Sequence, residues 1–345
     1  MKIAMPTRIL DRPVGGNTTY AQEVSRGLVA RGHEILRIPA HAHPGATMMR
    51  ETAYGLKGQD TDTVLHYVAD TGPLVRTRTA SVVTVHGVAS RWIDGARSPL
   101  NDFVWRTRVS RAIASTDGLI TVSHSSAADV AEVFDVDPAD IHVIPHGIDV
   151  RRFSAPANLS EKTASAIGGR PFILYLGNIE PRKNIGTLIR AMQTPELKRS
   201  GMPLVIAGRP AWDYQEVMRL IEDAANVVYL GFVSSEDRVA LMQSCTLFAF
   251  PSLYEGFGFP VLEALAAGAV VAASRRGSLE EVAGPALSFE SLDSRDVARG
   301  IIVALSDEGK RRACIEEGRA WAQRFSWNRS VESHEAVYRE VAASR

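Results

Sequence analysis

The sequence is short of several things that usually betray a function. Only two cysteines, Cys245 and Cys314, occur in 345 residues, too few for a disulfide framework and in keeping with a reducing, cytoplasmic setting. Charge of one sign is also missing. Lys and Arg total 39 and so do Asp and Glu, which leaves no basic excess of the kind that grips nucleic acid. No apolar run approaches the roughly 20 residues that span a bilayer. The opening MKIAMPTRIL is broken by Pro6 and Arg8, so it has no signal-peptide core. Peripheral membrane contact stays open, because one surface patch suffices for it. A GxxxxGK[ST] loop is absent, and Gly15-Gly16 do not fit GxGxxG spacing, which argues against those two nucleotide-binding designs. No Asp-x-Asp pair ends an expected strand, and His41 and His43 lack a matching third ligand. No metal and no resident cofactor are therefore expected.

What is present is a long alternation of apolar runs and amphipathic stretches. MKIAM, HEILRIP, TVLHYV, ASVVTVHG, GLITVSHSS and IHVIPHGID read as strands in the first half, with a helix over TYAQEVSRGLVARGH. Residues 98–116 read as a helix covering a sheet. Leu100, Phe103, Val104, Val109, Ala112 and Ile113 fall on its apolar side, and Arg106, Arg108 and Arg111 on a wet side. The stretch RRFSAPANLSEKTASAIGGR is small and polar and marks a junction. PFILYLGNI, PLVIAG, NVVYLG, LFAFPS and AVVAAS then repeat the pattern, separated by helices near 184–193, 213–223, 235–244 and 260–267. Strands separated by helices predict parallel α/β sheets. The expected domains are 1–155 and 156–325. Residues 326–345 form a terminal helix expected to brace the first domain.

Ligands of such sheets gather at the carboxyl ends of the strands, and the unusual clusters stand there. In GNIEPRKN, Gly177 permits close backbone approach, while Arg182 and Lys183 supply adjacent cations before a helix, an arrangement suited to a phosphate. The alternative is a turn with solvated charges. In YEGFGFPVLEALAAG, Pro260 fits a helix first turn and Gly268 its end. Glu255 and Glu263 are suited to accept hydrogen bonds from vicinal hydroxyls, although Glu263 can equally serve its own helix dipole. His86, at the end of VVTVH, reads either as a turn residue or as part of an active site.

These segments, together with VSHSS, PHGID, AGR, LGF, SLEEVAG and FSW in the same order, resemble the retaining glycosyltransferases of family four over nearly the whole chain. The resemblance implies the GT-B fold: two Rossmann-like domains facing across a cleft, the first holding an acceptor and the second a nucleotide sugar. It implies that Lys183 binds the donor diphosphate with Arg182 beside it, that Glu255 holds the transferred sugar and that Glu263 holds the ribose. Amides of Gly256, Phe257, Gly258 and Phe259 would meet sugar or phosphate. Gly15 and Gly16 would approach the diphosphate, and His86 would lie near the transferred sugar. Asn178 departs from the pattern, since many members place an arginine directly after the glycine equivalent to Gly177. Arg182 or Arg209 is then the second diphosphate cation. The PRKN and EGFGFP segments are similar to those of mannosyltransferases, implying GDP-mannose as donor, with a UDP-sugar as the alternative. The implied reaction moves a hexose to a hydroxyl of a saccharide, lipid-linked saccharide or metabolite, by a monomer or homodimer. A UDP-sugar epimerase and an inactive nucleotide-sugar-binding module are the readings from other classes.

Overall fold

The computed structural model describes residues 1–13, 15–93 and 98–345. It divides into two compact units, one of Met1–Gly147 with Phe325–Arg345, the other of Ile148–Arg324. Each is built on a six-stranded parallel sheet.

The first unit contains β1 (Lys2–Pro6), β2 (Glu34–Ile38), β3 (Thr63–Tyr67), β4 (Ser81–Val85), β5 (Gly118–Thr121) and β6 (Ile141–Val143), ordered β2-β1-β3-β4-β5-β6. The register is regular, with Ala4 opposite Leu65 and Val85 opposite Thr121. Strands β3, β4 and β5 are buried along their whole length, as expected for parallel strands covered on both faces. One face packs on the helix Gly16–Ala30 through Tyr20, Val24 and Leu28, and on the terminal helix Trp327–Ala343 through Val331, Val337 and Val341. A helix at Pro44–Leu56 is not read from the sequence, because the residues it buries, Thr47, Glu51, Thr52 and Gly55, are not apolar.

The helix expected over 98–116 is present as Pro99–Ser115, started by the Ser98 side chain accepting from the Asn101 amide. Its anticipated apolar side is only half used. Val109 and Ala112 are buried, whereas Leu100 and Phe103 remain about 70% exposed, at 71% and 68%. Nor is the basic side uniformly wet: Arg106 pairs with Asp102, and Arg108 turns inward to Thr71. The first turns of the helix leave their apolar side chains uncovered, which wheel position alone does not reveal.

The second unit contains β7 (Ile173–Leu176), β8 (Leu204–Ala207), β9 (Val227–Gly231), β10 (Leu247–Phe250), β11 (Val271–Ala273) and β12 (Leu287–Ser288), ordered β12-β11-β10-β7-β8-β9. Helix Phe259–Ala267 is buried from Val261 to Ala267, so the arc read from its apolar spacing widens to the whole circumference. Pro260 lies in its first turn and Gly268 ends it with φ +82. In both sheets the chain reverses its direction of growth at one place, between β1 and β3 and between β7 and β10. The loops leaving such neighbouring strands diverge and open a crevice at the carboxyl edge.

Candidate functional site

The crevice of the second unit is lined by the loops after β7 and β10. The β7 loop turns at Gly177, is tied by the Tyr175 hydroxyl donating to the Asn178 carbonyl at 3.0 Å, and tightens into a 3-10 turn at Pro181–Lys183. The β10 loop is stitched to it by the Leu253 amide donating to the Arg182 carbonyl at 2.8 Å. Its end is fixed by the Ser278 hydroxyl donating to the Glu255 carbonyl at 2.9 Å.

These ties bring Arg182, Lys183 and Glu255 into one cluster. Lys183 Nζ donates to Glu255 Oε1 at 2.5 Å, and Arg182 Nη1 to Glu255 Oε2 at 2.8 Å. Glu180 pairs with Arg182 at 2.6 Å. Lys183, Glu180 and Glu255 are all buried, with Lys183 4.9 Å from the Phe250 ring centre. Burial works against the Glu255 carboxylate, but Arg182 and Lys183 overcome it and hold the pKa at about 2. For Lys183, burial and the neighbouring Arg182 charge lower the pKa, with Glu255 acting the other way. The cluster thus sets two basic side chains against two acidic ones, with the Glu255 carboxylate held ionised by its partners. It is a ready receptor for an anion that displaces Glu255.

Backbone geometry keeps the entrance narrow. A Cβ on Gly208, at the end of β8, would stand 1.9 Å from the Gly177 carbonyl oxygen, so only glycine lets these two loops pass. Arg209 follows and lies over the half-exposed Phe232 ring at 4.0 Å. Gly256 leads into Phe257 and Phe259, whose rings meet edge-on at 5.2 Å, and Gly258 at φ +100 starts the helix that carries Glu263. Glu263 is buried and paired with Arg238, not with Lys183. Burial raises its pKa and Arg238 pulls it back. Arg238 and Glu180 are the residues that sequence reasoning missed here. Arg238 stands 25 positions from its partner, and no local pattern links the two.

In the first unit, Gly15 at φ +137 precedes the helix Gly16–Ala30, and His86 follows β4. The His86 amide donates to Asp70 Oδ1 at 2.8 Å, and Nε2 faces the Val68 carbonyl at 2.9 Å. A carbonyl only accepts, so Nε2 carries the proton and Nδ1 the lone pair. Burial lowers the His86 pKa, against Asp70, keeping the ring neutral and able to accept a hydrogen bond. The edge of the Tyr20 ring backs it at 4.9 Å.

Tyr20 also belongs to a buried chain of fixed direction. His334 Nδ1 donates to the Ser330 carbonyl at 2.7 Å, so Nε2 must accept from the Tyr20 hydroxyl at 2.6 Å. Thr84 then donates to Tyr20, His66 Nε2 to Thr84, and the Tyr338 hydroxyl to His66 Nδ1. Every ring in this chain is neutral. In the sequence Tyr20 reads only as a helix-face residue, and nothing local announces its second role.

A family model described as Glycosyl transferases group 1 matches residues 159–321, and one described as Glycosyltransferase Family 4 matches residues 56–152. The chain belongs to the group 1 glycosyltransferases. Among its relatives is the O-antigen chain mannosyltransferase B of Escherichia coli, 37% identical over 161 residues, which are 45% of this chain and 42% of that protein. Another is the MMP alpha-(1->4)-mannosyltransferase of Mycolicibacterium hassiacum, 30% identical over 295 residues, 79% of this chain and 64% of that protein. The chain thus matches less than two thirds of the length of either relative. Sucrose-phosphate synthase (tll1590) from Thermosynechococcus elongatus shares the fold, with a TM-score of 0.79 at 18% identity and 100% of both chains covered. The glycosyltransferase fold is GT-B, with two parallel α/β sheets. Among the described residues no cluster of His, Cys, Asp and Glu is arranged to hold a metal, and no helix is long and apolar enough to cross a membrane.

Proposed function

We propose that this chain transfers a hexose, with retention of anomeric configuration, from a nucleoside diphosphate sugar to a hydroxyl acceptor, and that the donor is GDP-mannose. One observation carries the reading. Lys183 and Arg182 converge on Glu255 at the carboxyl edge between β7 and β10, so an arriving diphosphate finds two cations, one buried and one partly buried, already aimed at one point. As the glycosidic bond breaks, negative charge grows on the leaving diphosphate, and preformed cations stabilise it without reorganising. Glu255, released from the cations, turns to the sugar hydroxyls, and Glu263 accepts from the ribose. His86 offers its Nδ1 lone pair to a hydroxyl near the reacting carbon. No metal or resident cofactor enters this scheme. The choice of mannose is supported by the names of the two relatives.

The test is thermal unfolding of the full chain with GDP-mannose, GDP, UDP-glucose and UDP, followed by GDP release with acceptors present. A ligand at 100 times its Kd adds about 2.7 kcal/mol, so a guanine-specific rise in Tm is expected. A rise with UDP-sugars alone would move the donor to uridine. No shift with any nucleotide would overturn the reading, and binding without turnover would leave a nucleotide-sugar-binding module.

A further inference from the structure

The crevice between β1 and β3 in the first unit holds a group of charges that the donor chemistry does not use. Arg8, two residues beyond β1, sends Nη2 to the Thr71 carbonyl at 2.9 Å and to its hydroxyl at 3.1 Å. Arg108, from helix Pro99–Ser115, donates to the same hydroxyl at 3.4 Å. Two guanidinium groups thus converge on one threonine. Among the described residues a single carboxylate answers them: Glu51 pairs with Arg8 Nε at 2.6 Å and is 1% exposed. Among the described residues Arg108 pairs with no carboxylate, and its Nε is buried without a hydrogen-bond partner, as is Glu51 Oε2. Burial, then the nearby Arg8 charge, lower the pKa of Arg108, with the charge of Glu51 acting the other way. Holding a second cation in a half-buried place is costly when the one carboxylate near it among the described residues is already paired with Arg8, and the excess of one positive charge there calls for an anion.

The place is suggestive as well. Thr71 directly follows Asp70, the residue that accepts from the His86 amide, so the arginine pair is joined to His86 through two consecutive residues. This edge also lies at the point of reversal in the strand order, where α/β sheets bind ligands.

We propose that Arg8 and Arg108 form an oxyanion subsite for the acceptor, taking a phosphoryl or carboxylate group that the acceptor carries. This rests on the reading of the chain as a transferase whose first unit receives the acceptor. Guanidinium groups present paired donors in a plane and suit either oxyanion. Arg8 is anchored by Glu51 and Thr71. Arg108 is the member whose charge the acceptor neutralises.

The experiment is calorimetric titration of the full chain with matched pairs: mannose 6-phosphate against mannose, and galacturonate against galactose. The acidic member is expected to bind at least about tenfold more tightly, the scale of one charge-assisted hydrogen bond. The two pairs tell phosphate from carboxylate. In Arg108→Met, which keeps the apolar stem and leaves the Arg8–Glu51 pair alone, the preference should fall below about threefold, and Arg108→Lys should restore part of it. Equal binding of acidic and neutral members by the unaltered chain would overturn the proposal, as would a preference that survives in Arg108→Met. The titration uses no donor, so its failure is separate from a failure of nucleotide binding.

Discussion

Glu255→Gln separates two consequences that most substitutions would confound. In the unliganded protein the Glu255 carboxylate accepts from Lys183 at 2.5 Å and from Arg182 at 2.8 Å. A donor diphosphate needs the same two cations, so carboxylate and ligand compete. Glutamine keeps the size and removes the charge. The unliganded protein loses charge-assisted hydrogen bonds worth about 1.5–3 kcal/mol each, and should melt at a lower temperature. The diphosphate no longer has to displace a carboxylate, so affinity for GDP should rise by about tenfold, or roughly 1.4 kcal/mol. Transfer should nevertheless fall, because the proposed contact to the sugar hydroxyls is weakened. The pH dependence adds a check. The folded carboxyl has its pKa near 2, below its ordinary value of 4.5. Its contribution to stability is complete above pH 4.5 and is lost as the pH falls toward 2, a change of roughly 3 kcal/mol. Glu255→Gln should lack that acid-induced loss. Calorimetric titration with GDP and urea unfolding between pH 7 and 3 measure both effects. Unchanged GDP affinity together with an unchanged acid slope would refute the idea that Glu255 is the counter-ion a donor replaces.

Two further outcomes follow from the same geometry. Lys183→Ala should lower kcat by about 10²–10³, the scale of removing one preformed donor from a developing anion, and a rate within threefold of the unaltered enzyme would remove Lys183 from the mechanism. Stability of the first unit should fall as the pH drops below 6.5. His66, His146 and His334 are buried around Tyr20, with Tyr338 beside His66, and burial holds His334 at about 4. An unfolded chain takes up protons at 6.5 that the folded one refuses, so each such ring should cost about 1.4 kcal/mol per pH unit between 6.5 and its folded value. Urea midpoints at pH 7 and pH 5.5 measure this, and equal midpoints would contradict the neutral chain of hydrogen bonds.

Most of the architecture was legible because parallel strands advertise themselves. VVTV, LIT, ILYL, LVIA and LFAF are short, largely apolar runs rich in β-formers, and each lies in a strand buried on both faces. The meeting of Lys183 with Glu255 was legible only through resemblance, since 72 residues separate them and no spacing rule reaches so far. The partners that set their charge states were not legible. Glu180 looks like any loop acid and Arg238 like any helix cation, until the fold places them beside Arg182 and Glu263. The exposed Leu100 and Phe103 show the opposite failure. An apolar helix side says what can be buried, and it does not say how far the sheet beneath extends.

The terminal helix carries a consequence for biosynthesis. The first unit is assembled from Met1–Gly147 and Phe325–Arg345, so its last piece leaves the ribosome after the whole intervening unit has been made. At about 5–20 residues per second that interval lasts on the order of 10–35 s. Throughout it Tyr20 and His66 lack His334 and Tyr338, their partners from the late segment, and the apolar face awaiting Val331 and Val341 stays uncovered. The earlier-made segment of this unit therefore waits for the later one to close it, and during that time its uncovered apolar face is where a chaperone is most needed.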